Sequence, residues 1–142
     1  MIILLDTNVI SELMKASPDK SVVRWVASAS AADLYTTTIT QAEILFGIML
    51  LPPGKRRSAF ESAANAMFSQ DFGGRILPFG SDAVHPYAVI ATTRRRLGFP
   101  ISQLDAQIAA IAYSSGALIV TRNVSDFDHC GVKVVNPWKS TP

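Results

Sequence analysis

The strongest constraint on this fold is a short run without a polar side chain, Ile2 to Leu5, that stops at Asp6-Thr7-Asn8. A strand apolar at successive positions must be buried on both faces, which a parallel sheet covered by helices on either side provides. The strand is expected to feed directly into a helix, with Asp6 at its carboxyl end. The rest of the chain alternates in the same way. Val22, Val23, Trp25, Val26 and Ala29 recur at helical spacing between Ser21 and Ser30, and Leu34 to Thr37 reads as a second strand. Gln41 to Leu51 is a helix stopped by Pro52-Pro53-Gly54, and Arg57 to Phe68 is another. Gly73-Gly74 leads into a strand at Arg75 to Pro78, and Ser81 to Leu97 reads as a helix interrupted at Pro86. After Gly98-Phe99-Pro100 come a helix from Gln103 to Ser115, a strand from Ala117 to Thr121 beyond the helix-stopping Gly116, and a last strand from Val132 to Val135. The alternation predicts an α/β fold of three layers, α/β/α, around a central parallel sheet, as one domain over residues 1–142.

Hydrophobic residues make up 49% of the chain and charged ones 17%, a balance that excludes disorder and leaves apolar surface to hide beyond one core. A net charge of +2 permits contact with a polyanion without requiring it. Cys130 has no cysteine to pair with, and with only His85 and His129 beside it the soft ligands are too few for a closed zinc site. A reducing, cytoplasmic setting is expected. The opening apolar run is too short for a signal-peptide core, and Ile44 to Gly54 and Ala106 to Thr121 are too short or too polar to be good membrane spans.

The acidic residues fall where such a sheet forms ligand sites, beyond the carboxyl ends of its strands. Asp6 follows the first strand, Glu43 sits in the first turn after the second, Asp105 lies in the first turn of the helix before Ala117 to Thr121, and Asp126 follows that strand by a short loop. Each has a local explanation. Thr40-Gln41-Ala42-Glu43 and Ser102-Gln103-Leu104-Asp105 both match a capping box, Asp6 suits an N-cap worth about 1 kcal/mol, and Asp126 suits a turn. Taken together, acids gathered at one end would repel one another unless a cation neutralised them. Carboxylates without imidazole or thiolate suit Mg²⁺ or Mn²⁺, and the chemistry this suggests is hydrolysis of a phosphodiester by an activated water.

Leu4-Leu5-Asp6-Thr7-Asn8-Val9-Ile10-Ser11-Glu12 resembles the opening motif of PIN domains, in particular the VapC-type toxins of bacterial toxin–antitoxin pairs. Thr40-Gln41-Ala42-Glu43-Ile44 with Gly47, Asp105 to Ala110, Thr121-Arg122-Asn123 with Asp126-Phe127, and Asn136-Pro137-Trp138 are similar to that family's later blocks, in order. The FitB-like branch, which includes plasmid stability proteins, is the one most similar. The resemblance implies a metal-dependent endoribonuclease with Asp6 and Asp105 as principal metal ligands and Glu43 acting directly or through water. Some relatives carry aspartate where this chain has Asn123, so the fourth acidic role is open between Asn123, through its amide oxygen or a water, and Asp126. Thr7 is a candidate to hydrogen-bond a ligand. The resemblance also implies a homodimer and a VapB-type antitoxin that carries any contact with DNA.

Ile44 to Leu51 is apolar almost around its helix, which implies either a second surface to cover, for a second copy or the antitoxin, or a fully buried helix. Trp25 and Trp138 join that surface or pack locally. Lys55-Arg56-Arg57 and Arg94-Arg95-Arg96 are read mostly as solvated surface, with one or two side chains available to RNA phosphates. No catalytic role follows for His85, His129 or Cys130. A receiver domain would need a further aspartate near Pro78-Phe79-Gly80, and a haloacid-dehalogenase-type phosphatase would need Asp-x-Asp in place of Asp6-Thr7-Asn8. The alternative that stands is a catalytically silent PIN-like module that binds RNA or protein.

Overall fold

The computed structural model describes residues 1–141. Five short strands, β1 (Ile3–Leu5), β2 (Leu34–Thr37), β3 (Ile76–Leu77), β4 (Leu118–Val120) and β5 (Val134–Val135), form one sheet in the order β3-β2-β1-β4-β5. All the pairings are parallel, with Ile3 opposite both Leu34 and Leu118 and Leu5 opposite Val120. Because β1 is central, the chain leaves it toward β2 on one side and returns to β4 on the other. Connections that diverge in this way open a crevice at the carboxyl ends of the two strands, β1 and β4.

Six α-helices cover the sheet: α1 (Thr7–Leu13), α2 (Lys20–Ser28), α3 (Thr38–Met49), α4 (Lys55–Ala66), α5 (Ser81–Arg96) and α6 (Gln103–Ser115). Alternation along β1 divides the core in two. Ile3 and Leu5 pack with Val9, Ile10, Val22, Trp25, Ile44 and Ile48 on one face, and Leu4 packs with Ala83, Ile90, Ile108, Ile111 and Phe127 on the other. Full burial of side chains this size is worth about 1.5–3 kcal/mol each, so the three predicted layers follow from the apolar run itself. On α6 the buried Ala106, Ala109, Ala110 and Ala112 are small enough to let the helix lie close against its neighbours. It ends at Gly116 (φ 67°), which supplies the left-handed turn into β4.

The structure departs from the predicted pattern in two helices. α5 runs unbroken through Pro86. That proline stands in the second turn, where its missing N–H costs one bond to the Asp82 carbonyl, and the buried Ala83, Ile90 and Arg94 hold the helix on the core on both sides of it. α3 begins earlier than predicted because Thr37 ends β2 and also caps the helix, its Oγ1 accepting from the Thr40 N–H at 3.0 Å. Glu43 therefore lies in the second turn, and Thr40 is not its capping partner. On the outer side of α3, Phe46, Met49 and Leu50 are 66%, 61% and 69% exposed, so this helix has a second apolar surface and is not fully buried. Among the described residues no helix is long and apolar enough to cross a membrane.

Candidate active site

Asp6 is fixed by main chain and side chain together. Its N–H donates to the Val120 carbonyl at 2.9 Å, tying the end of β1 to the end of β4. Its Oδ1 caps α1 by accepting from the Thr7 N–H at 2.8 Å, and its Oδ2 accepts from Thr121 Oγ1 at 2.8 Å and from Asn8 Nδ2 at 3.3 Å. The side chain is only 5% exposed. Burial pushes its carboxyl from 3.8 up to about 6, against the Thr121 and Thr7 hydrogen bonds, and the negative charges of Asp105 and Glu43 add to the rise. The predicted N-cap is thus real, and it coexists with a carboxylate whose ionisation is resisted.

Glu43 reaches the same place from α3. The Thr7 hydroxyl donates to Glu43 Oε1 at 2.7 Å and lies 3.1 Å from Thr40 Oγ1, which is able to donate to it in turn. Asp105 stands in the first turn of α6, where Ser102 is the N-cap and its Oγ accepts from the Asp105 N–H at 3.2 Å. Burial raises the Asp105 carboxyl, the Ser102 hydroxyl opposes this, and the charge of Asp126 raises it further while Arg94 lowers it. Asp126 projects from a 3-10 turn, Val124–Phe127, whose start is set by Asn123. The Asn123 N–H donates to Thr121 Oγ1 at 3.1 Å, and the Asp126 N–H to the Asn123 carbonyl at 3.0 Å.

All five predicted residues, Asp6, Glu43, Asp105, Asn123 and Asp126, line one cleft of ≈ 470 Å³ at the β1–β4 crevice. Its acidic and amide donors are oxygen atoms, with no imidazole or thiolate among them. Among the described residues no three acidic groups stand close enough to grip an ion unaided. An open oxygen-lined site with mutually repelling carboxylates fits a small hard cation that keeps several of its waters, such as Mg²⁺ or Mn²⁺. His85, His129 and Cys130 line a separate cleft of ≈ 300 Å³ with Tyr113. Burial pushes the Cys130 thiol up, which suits an inert side chain and not a nucleophile.

Several residues of the site carried no predicted role. The Asn8 amide bridges the two strand ends, its Nδ2 donating to Asp6 Oδ2 and Thr121 Oγ1 and its Oδ1 accepting from the Arg122 N–H at 3.0 Å. Arg94, from the triplet read mostly as solvated, is 6% exposed. Its Nε donates to the Phe99 carbonyl at 2.7 Å and its Nη1 to those of Asp126 and Asp128 at 2.7 and 3.0 Å. One guanidinium thereby joins the approach to α6, which carries Asp105, to the turn that carries Asp126. The signal was in the sequence: Ala83, Ile90 and Arg94 fall on one helical stripe. Of the other basic cluster, Arg57 pairs with Glu61 at 3.0 Å and Arg56 lies over the Phe60 ring. Trp138 lines the acidic cleft with the Arg122 guanidinium over its ring, so it packs locally and away from the outer face of α3.

Comparison with known proteins gives a consistent result. A family model described as PIN domain matches residues 3–132. The VapC ribonuclease Y4jK of Sinorhizobium fredii is 40% identical over 137 residues, covering 96% of this chain and 98% of that protein. Toxin FitB of Neisseria gonorrhoeae is 38% identical over 136 residues, covering 96% of this chain and 98% of that protein. A solved structure of FitAB bound to an IR36 DNA fragment superposes with a TM-score of 0.92 at 36% identity, covering 99% of each chain.

Proposed function

The chain belongs to the PIN-domain family, and we propose that it is a metal-dependent endoribonuclease acting as the toxin of a toxin–antitoxin pair. The observation that carries this reading is the convergence of Asp6, Glu43, Asp105 and Asp126 on one cleft, with Asp6 buried and its carboxyl pushed up to about 6. Keeping that group ionised at neutral pH is costly, and a cation offsets the cost. Likeness to a protein named as a VapC ribonuclease supports RNA as the substrate.

Asp6 and Asp105 would hold the metal, Glu43 would act on it directly or through water, and Asp126 with Asn123 would complete the acidic side. When bound, Mg²⁺ or Mn²⁺ supplies a water of lowered pKa and offsets charge on the phosphoryl oxygens. The protein contributes orientation. Thr121 and Asn8 keep the Asp6 carboxylate in one rotamer, and Thr7 directs the Glu43 carboxylate into the cleft. No protein nucleophile is needed.

For partners, the exposed Phe46, Met49 and Leu50 of α3 offer a surface for a second copy of the chain or for an antitoxin. A FitAB assembly bound to DNA supports an antitoxin that makes the DNA contact. The setting would be the cytoplasm, in line with a lone free cysteine. The test is cleavage of a structured RNA pool by antitoxin-free protein with Mg²⁺, Mn²⁺ or chelator, alongside folded Asp6→Asn and Asp105→Asn variants. Metal-dependent cutting lost in both variants supports the reading. Equal cutting by the variants places the site elsewhere, and no cutting with either metal favours a silent module that binds RNA or protein.

A further inference from the structure

Arg122 occupies the rim of the acidic cleft, and its position is fixed from both sides. Its N–H donates to Asn8 Oδ1 at 3.0 Å, and the same Asn8 donates to Asp6, so one amide sets Arg122 relative to the carboxylate cluster. Its carbonyl accepts from Asn136 Nδ2 at 3.5 Å, while Asn136 Oδ1 accepts from the Trp138 N–H at 2.9 Å. Asn136 thereby holds the arginine and the tryptophan together, and the guanidinium carbon lies 4.9 Å from the Trp138 ring centroid.

The chemistry of that pair points to an anion. A guanidinium held over an aromatic ring keeps N–H groups available on the side away from it, and a guanidinium edge matches the oxygens of a phosphate two at a time. The second cation of the cleft, Lys15, is committed to Glu12 at 2.9 Å. Among the described residues Arg122 makes no ion pair within 4.0 Å, and its charge acts only at longer range on the Glu12 carboxylate that Lys15 already holds. Without a cation, a cleft lined by Asp6, Glu43, Asp105 and Asp126 repels a polyanion, and a fixed positive group at the rim offsets part of that repulsion.

We propose that Arg122, held over the ring of Trp138, is a phosphate-binding subsite that seats an RNA phosphodiester next to the one to be cut. It rests on the nuclease reading for its purpose and is testable apart from it. Arg122 reads no base; it anchors the strand, and Trp138 restricts the guanidinium to one orientation. The measurement is binding of a short single-stranded oligoribonucleotide in chelator, where nothing is cleaved, at several salt concentrations. Arg122→Ala is expected to weaken binding several-fold and to reduce the slope of log affinity against log salt by about 0.7, the value for one phosphate contact on a single strand. Arg122→Lys should keep the slope and recover part of the affinity, and Trp138→Ala should lose affinity with the slope unchanged. If Arg122→Ala does not fold, Arg122→Gln gives the same comparison with the side-chain length kept. Wild-type affinity and slope in the neutral variant overturn the subsite, as does absence of RNA binding by the wild type. Binding that depends on Arg122 in a protein that cuts no RNA with either metal keeps the subsite and removes the nuclease reading.

Discussion

Thr121 Oγ1 donates to Asp6 Oδ2 at 2.8 Å across 115 positions of sequence, so the last residue before one loop determines how the first acid of another is held. Thr121→Val keeps the shape and removes the donor. A hydrogen bond to a charged group is worth about 1.5–3 kcal/mol, so the Asp6 carboxyl should rise by about one pH unit or more. The acid limb of the pH–rate profile is expected to move up by that amount; a profile that stays in place would separate Asp6 from the chemistry.

Asp6 makes the metal-free protein pH-sensitive in a defined direction. With its carboxyl raised from 3.8 to about 6, the folded state holds the proton more tightly than the unfolded state does. The resulting stability is complete below about pH 4 and is lost as pH rises through about 6, a change of about 3 kcal/mol. Urea unfolding in chelator from pH 4 to pH 7.5 should show this dependence in wild type relative to Asp6→Asn, and parallel curves for the two proteins would contradict it.

Adding the cation should return that stability. At one hundred times its dissociation constant, Mg²⁺ or Mn²⁺ bound to the folded state alone contributes about 2.7 kcal/mol. Thermal unfolding should move upward with metal in wild type and much less in Asp6→Asn and Asp105→Asn. A shift of the same size in all three would assign the ion to another place.

Arg94 predicts a coupling between stability and site geometry. Truncation to alanine leaves the carbonyls of Phe99, Asp126 and Asp128 without their donor and should cost about 3 kcal/mol. Lysine cannot reproduce the guanidinium fork and should recover only part of this. Hydrogen exchange resolved by segment is the measurement, with faster exchange at Ser125 to Cys130 expected in Arg94→Lys while β1 stays protected.

The outer face of α3 predicts the reverse, an effect on assembly with little effect on folding. Phe46→Glu or Leu50→Glu should change stability by no more than about 0.5 kcal/mol, because both side chains are mostly exposed. Light scattering with and without antitoxin should show loss of the dimer, of the antitoxin complex, or of both, and full retention of the two assemblies would free this face from either role.

Much of the fold was legible because its central strand, Ile3 to Leu5, is short, apolar and buried on both faces, which dictates a covered parallel sheet. The acids were legible because they follow strand ends in an alternating chain, and the family motifs pointed to the same residues. What escaped depended on three-dimensional partners. The assignment of Glu43 to a capping box failed because Thr37 serves both β2 and α3, a double use that sequence spacing does not reveal. Arg94 was masked by its charged neighbours, although its place on the apolar stripe of α5 marked it. Asn8 and Arg122 acquire meaning only when β1 and β4 lie side by side.

That adjacency has a consequence for how the protein comes into being. β4 takes its place beside β1 only after the intervening helices have been made, and Asp6 waits across 115 positions for Thr121, and for Val120, to complete its surroundings. A nascent chain emerging from the ribosome carries Asp6 and Glu43 long before it has the residues that orient and complete them. Its cleft is therefore assembled only after β4 has been made, and until then the acids that arrive first stand without the groups that orient them.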